Sequence, residues 1–314
     1  MDGTLATAAK PNLALRVLRF PISALLIEAI VLGVFGLPIE SANLAAVRFV
    51  TPPLLFLIIV ALLVIFVFIW KAFRRWLEGD RDREFTLPGA GKEAGAGVLA
   101  GFALFTLMTG LVALLGGIEI TGVRSFADTQ FWAWAGLGVA SGIVEETLFR
   151  GVILRQLEKL VGTWWALAAT SVLFGAVHMT NKDATLTGAI SIMVEAGILL
   201  GAAYLYTRRL WLAAGMHAAW NFTQAWVFSV PVSGTGQPVG ILVTERHGPE
   251  WLTGGDFGLE ASLAAVLVAT AAGLWLLWKA RQQGTFVVPI WQRSRSDEAV
   301  RIDVDRDPHA AGEA

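Results

Sequence analysis

The stretch GIVEETLFRG, residues 142–151, sets two adjacent carboxylates and an arginine inside a long apolar run. Ionisable side chains in such surroundings are costly, and a functional site is the first hypothesis for them. Glu146 and Arg150 are four apart, so on a helix they share a face. The acid stands on the N-terminal side, the favourable order for an ion pair. Glu145 sits about 100° further round the helix. Arg150 is therefore expected to neutralise Glu146 and leave Glu145 free to act on water as a general base. The competing reading is a structural ion pair with one glutamate snorkelling from a helix end.

Three more polar residues stand in apolar runs. His178 closes SVLFGAVH, with Phe174 one turn before it, and taken alone it reads as a capping or interfacial histidine. His217 and Asn221 in GMHAAWNF are again four apart, and Gln224 extends their stripe. Such stripes often hold helices together by hydrogen bonds. Glu195 stands near the middle of a run and is left unassigned. Glu28 and Glu260 stand near run ends, where snorkelling suffices.

Other hydrolytic patterns are missing. There is no H-E-x-x-H for a helical zinc protease. Ser141 in VASG lacks the preceding glycine of the rhomboid pattern, and TGGD at 253–256 lacks the first glycine of the presenilin type. The chain has no cysteine, which removes disulfides, thiolate zinc sites and a cysteine nucleophile.

The elements that position these residues follow from composition. Of 314 residues 55% are hydrophobic and only 16% charged, where soluble domains carry about a quarter. The net charge of −1 points to no nucleic-acid partner. A membrane-crossing helix needs about 20 apolar residues. Runs near 17–37, 48–70, 94–117, 129–150, 163–180, 186–206, 210–230 and 258–279 meet that need. The expected fold is an all-α polytopic membrane protein, a bundle of about eight transmembrane helices around a polar intramembrane cavity. Lys71, Arg74, Arg75, Arg81, Arg83 and Lys92 follow the second run, Arg150, Arg155 and Lys159 the fourth, and Arg208 and Arg209 the sixth. Lys279, Arg281, Arg293 and Arg295 follow the eighth. The opposite loops carry only Arg124, Lys182 and Arg246, so both termini are expected in the cytoplasm and the chain in the cell membrane. The first twenty residues lack a cleavable signal and read as a mature N-terminus.

EETLFR, FGAVH and HAAWN, taken in this order on successive runs, resemble the motifs E-E-x-x-x-R, F-x-x-x-H and H-x-x-x-N of the CAAX-protease and bacteriocin-processing (CPBP, or Abi) family of intramembrane proteases. The resemblance covers roughly residues 94–230. It implies a membrane-embedded endopeptidase, with Glu145 activating water and His178 positioning it. Glu146 and Arg150 would be the supporting pair, and His217 and Asn221 would bind the scissile carbonyl and its oxyanion. If a metal takes part, Glu145, His178 and His217 would be three zinc ligands with an open fourth position. The metal-free glutamate mechanism is preferred, because it explains Asn221. The partners implied are membrane lipid and a protein or peptide substrate, lipidated or not.

The resulting organisation is an N-terminal region, 1–93, with two spans and a basic loop. A catalytic core follows over 94–230, then an outward loop and last span over 231–281, and a polar tail over 282–314. The alternatives to a peptidase are a catalytically silent scaffold or immunity-type protein, and a proton-coupled transporter. A scaffold has no need of Glu145, His178, His217 and Asn221 together, and a transporter calls for repeats and broken helices. One conflict stands in this reading. With the fourth span ending near 150, Glu145 lies close to the inner surface. His178 would then lie about 20 Å deep in a span that starts there.

Overall fold

The computed structural model describes residues 17–36, 38–39, 50–78 and 83–293. The N-terminal stretch through residue 16, Arg81, and the tail from 294, with Arg295 and His309, lie outside the described residues. Helices fall on all eight apolar runs: α1 Pro21–Phe35, α2 Pro52–Glu78, α3 Ala90–Leu114, α4 Phe131–Glu146, α5 Arg155–Val177, α6 Leu186–Thr207, α7 Trp211–Phe222 and α8 Leu263–Gln282. Among the described residues, five helical stretches rather than eight are long and apolar enough to cross a membrane. These are α2, α3, α6, α8 and the stretch Phe131–Thr180, which folds at Gly162 into the two arms of an α4–α5 hairpin. α1 and α7, with 15 and 12 residues, reach only about 22 and 18 Å against a hydrocarbon core of about 30 Å. The outer faces are apolar: Leu57, Leu99 and Leu267 are 62%, 71% and 62% exposed. That pattern suits a lipid solvent and not water.

The all-α expectation misses a two-stranded antiparallel ribbon. β1 (Ile118–Val123) pairs with β2 (Leu242–Arg246), the second inside the segment read as an outward loop. The register runs Ile118 to Arg246 with a slip at Gly122. β1 alternates isoleucine with polar residues over too few positions to stand out beside helical runs.

The helices close on one another through glycines. α3 lies along α7, where a Cβ at Gly101 would meet the Met216 carbonyl at 2.3 Å. α4 lies along the other side of α7, and a Cβ at Gly142 would meet the Ala214 carbonyl at 2.5 Å. Small residues let backbones approach this closely in membrane helix pairs. α7 is thereby wedged between α3 and α4, while α6 packs against α5 and α8.

The polar residues near 28 and 74 are not at a surface. Glu28 is fully buried, not snorkelling, and accepts from Arg155 Nη2 at 2.8 and 2.9 Å and from Gln156 Nε2 at 2.9 Å. Arg155 also donates to Glu78 at 2.7 Å and to the Gly151 carbonyl at 2.6 Å. Arg74 bridges Glu78 at 3.0 Å and Glu84 at 2.9 Å, and Lys159 adds a contact to Glu78 at 3.1 Å. Burial alone would raise the Glu84 carboxyl, but the guanidinium groups of Arg74 and Arg155 outweigh it and hold it below the ordinary carboxylate value. Arg74, read as a loop charge from the sequence, lies on α2, which continues to Glu78, and its partners are Glu28 on α1, Glu78 on α2 itself and Glu84 just beyond it.

Candidate active site

The hairpin between α4 and α5 resolves the conflict in depth. The helix carrying Glu145 does not end near 150. It continues through a π-helical stretch, Thr147–Leu154, and breaks only at Gly162, where φ is 77° and ψ 169°. Any side chain at Gly162 would be strained at that φ and would run into the Pro289 backbone nitrogen at 2.7 Å. Glu146 and His178 each lie sixteen residues from that turn, about 24 Å of helix on either arm. Cross-arm contacts confirm the level: the Phe149 and Phe174 rings meet edge to face at 4.8 Å, and the Arg150 guanidinium lies 4.6 Å from the Phe174 centroid.

Glu146 is fully buried, and its Oε1 accepts from two sides. Arg150 Nη1 donates at 2.9 Å along the helix, and His217 Nδ1 donates at 2.9 Å from α7. The pairing of Glu146 with Arg150 is as the spacing predicts. The bond to His217 is new, since sequence distance gives no signal for it. Arg150 is also fully buried and donates Nη2 to the Ala196 carbonyl at 3.0 Å, which ties α6 into the same cluster.

Glu145 is half-buried and makes no hydrogen bond to a described residue. It lies close enough to act electrostatically on both Arg150 and His217. His178 Nδ1 lies 2.6 Å from the Phe174 carbonyl. A carbonyl only accepts, so this nitrogen carries the proton and Nε2 is left as an acceptor. The Phe174 ring packs against both imidazoles, at 4.8 Å from His178 and 6.1 Å from His217. Asn221 Nδ2 donates to Ser141 Oγ at 3.0 Å, and Ser141 in turn donates to the Gly138 carbonyl at 3.2 Å. Ser141, set aside as a nucleophile, orients the asparagine instead. One amide hydrogen of Asn221 remains.

A cavity of about 430 Å³ joins these groups. Glu145, His178, His217 and Asn221 all line it, with Glu146 and Arg150 behind. Glu195 and Glu260 line it as well. Glu260 is 4% exposed and not snorkelling, with Oε2 accepting from the Ser233 backbone nitrogen at 2.6 Å and from Gln224 at 3.2 Å. Gln224 thus fastens a loop and takes no part in the His217–Asn221 pair. Among the described residues, no three histidine, cysteine, aspartate or glutamate side chains are placed to hold a metal ion together, Glu145, His178 and His217 included. Among the described residues, His217 Nδ1 is partnered by Glu146.

Both helices that carry the polar pairs widen into π-helical turns just beyond them, at Thr147–Leu154 after Glu146 and at Thr223–Val227 after Asn221. Thr147 and Thr223 each bond back to the carbonyl four residues earlier, at 2.6 Å. Such bulges recur at functional sites because they re-aim side chains within a helix. Replacing Gly142 by valine is expected to push α4 off α7 and to cost about 1–3 kcal/mol through overpacking. It also displaces His217 and Asn221 from Glu146 and Ser141. Thermal unfolding in detergent reads the first effect and peptide cleavage the second; wild-type values in both would show that the helices do not depend on this approach.

Residues 127–223 match the family model of the Type II CAAX prenyl endopeptidase Rce1-like proteins. The matched segment holds all three motifs, EETLFR, FGAVH and HAAWN, and covers less than half of the chain. No curated protein and no solved structure matches the chain. The family match and the apolar helices point to a multi-pass membrane protein with a CAAX-type peptidase segment.

Proposed function

We propose that this protein is an intramembrane endopeptidase that hydrolyses a peptide bond with a glutamate-activated water inside the cell membrane, about 24 Å along the helices from the cytoplasmic turn at Gly162. The observation that carries this reading is the division of labour between the two acids. Glu146 is held by Arg150 and His217, while Glu145 is left without a hydrogen bond in the cavity that His178 and Asn221 also line.

Glu145 takes a proton from a water whose second hydrogen is accepted by His178 Nε2, and the hydroxide attacks the scissile carbonyl. The developing oxyanion receives the remaining amide hydrogen of Asn221 and an N–H from His217 Nε2. For His217 to donate there it must be an imidazolium, because Nδ1 already donates to Glu146. The Glu146 carboxylate supports that charge, as a buried carboxylate does for a catalytic histidine. The proton held by Glu145 then passes to the leaving amine. The cavity keeps these polar groups wetted inside the bundle, as non-helical and polar elements at membrane depth require. The residues carry the reaction without a metal ion. The excess of lysine and arginine between the second and third runs and after the fourth, sixth and eighth supports cytoplasmic termini.

The test is cleavage of a panel of membrane peptides, prenylated and not, by purified wild type, Glu145→Ala and His178→Ala, with zinc content measured alongside. Loss of about 10²-fold or more in each variant is expected. Equal activity in all three would sink the assignment. Stoichiometric zinc that is lost in His217→Ala would replace the metal-free mechanism by a metal-assisted one.

A further inference from the structure

Glu195 has no part in the chemistry above, yet among the described residues it is the one acid with both carboxylate oxygens buried and unpartnered. It is 1% exposed, on α6, and neither carboxylate oxygen has a hydrogen-bond partner among the described residues. It lines the same cavity as Glu145 and His178. A buried charge requires a paired counter-charge, and a buried polar group a hydrogen bond. No lysine or arginine among the described residues pairs with Glu195, and Arg150, the cation whose bond to Ala196 lies next to it in sequence, is committed to Glu146.

A second carboxyl lines the same cavity: Glu260 is close enough to act electrostatically on Glu195, and Ile192, Ala196, Leu199 and Ala269 wall the space beside them. The cavity therefore offers an apolar wall with two carboxyls set into it, and Glu195 has no cation paired with it among the described residues.

We infer that Glu195, with Glu260 beside it, forms a subsite for a lysine side chain of the substrate. Lysine carries a strongly hydrated point charge on a four-carbon stem. The stem lies along the apolar wall, and the ammonium supplies the donors that the two Glu195 oxygens lack, with the negative charge of Glu260 nearby. Arginine fits less well, because its planar fork asks for a bidentate approach and Glu260 Oε2 is already taken by Ser233 and Gln224. This deepens the peptidase reading and rests on it for the word substrate; the subsite itself is a matter of binding.

Binding is therefore what the experiment reads. Fluorescent membrane peptides of about 20 residues carry one lysine, stepped along the sequence, or norleucine at the same place. Norleucine keeps the stem and removes the ammonium. Affinities are measured by anisotropy for the full-length Glu145→Gln protein, which does not turn the peptide over, and for Glu145→Gln/Glu195→Gln. At one or two adjacent positions lysine is expected to bind about tenfold more tightly than norleucine. Glu195→Gln is expected to abolish that preference and leave the norleucine peptides unchanged. Glu195→Leu, which fills the site with apolar volume, guards against a variant that fails to fold and should show the same selective loss. A lysine preference that survives both variants, or no preference at any position, overturns the subsite. A selective loss in a protein that cleaves no peptide upholds the subsite and removes the peptidase reading alone.

Discussion

Glu146→Gln is expected to lower kcat by about 10²–10³ with KM little changed. The substitution keeps the shape of the side chain and removes its charge. His217 Nδ1 can still donate to an amide oxygen at the place where Glu146 Oε1 now accepts at 2.9 Å, so the ring stays in position. What is lost is the support for the imidazolium, which matters only as the oxyanion develops. An interaction made in the transition state alone shows itself in kcat. Steady-state cleavage of a fluorogenic membrane peptide checks this, together with a double-mutant cycle. Glu146→Gln added to His217→Ala should cost almost nothing further, because the two act as a unit. Independent, multiplying losses, or a rise in KM with kcat intact, would remove Glu146 from a positioning role and leave it as part of the Arg150 ion pair.

The second large effect concerns stability and lies away from the cavity. Arg155→Met is expected to destabilise the protein by about 3–5 kcal/mol, because it leaves buried acids without their cation. Arg155 binds Glu28 through both oxygens, Glu78 through one, and approaches Glu84 at 3.4 Å. Glu28 is fully buried and, among the described residues, has Gln156 and a 3.7 Å contact to Arg74 to fall back on. Arg155→Lys should recover part of the loss, since one ammonium cannot span Glu28, Glu78 and the Gly151 carbonyl as the fork does. Replacing Glu28 by glutamine in the Arg155→Met background should also recover part, by removing an unpaired charge. Unfolding in detergent by heat or titrated denaturant measures all three. An unchanged midpoint in Arg155→Met would mean that Arg74 and Lys159 alone suffice for this cluster.

These two clusters show how far local spacing carries. Glu146 with Arg150, and His217 with Asn221, are each four residues apart on one helix, and a helix of fixed pitch puts such pairs on one face wherever it lies. The motif residues, the apolar runs and the pairing of Glu146 with Arg150 follow from that alone. Glu28 and Arg155 are 127 residues apart, as Glu146 and His217 are 71 apart. No periodicity reports such pairs, and Glu28 read from its own surroundings could only be taken for a snorkelling acid near a helix end.

The amino-acid sequence by itself determined that the chain is helical and apolar enough for lipid, which of its polar residues stand where polarity is costly, and how the near neighbours among them pair. All three follow from composition and helical period, which are local properties. The tertiary structure alone decided the rest. It placed the turn of the α4–α5 hairpin at Gly162 and not near 150, which brings His178 level with Glu146. It wedged α7 between α3 and α4 on glycines, which carries His217 to Glu146 and Asn221 to Ser141. It also left Glu195 lining a cavity without a hydrogen-bond partner among the described residues. A helix break at one φ and the closeness of two backbones depend on what packs against them, and that is written in no single stretch of the chain.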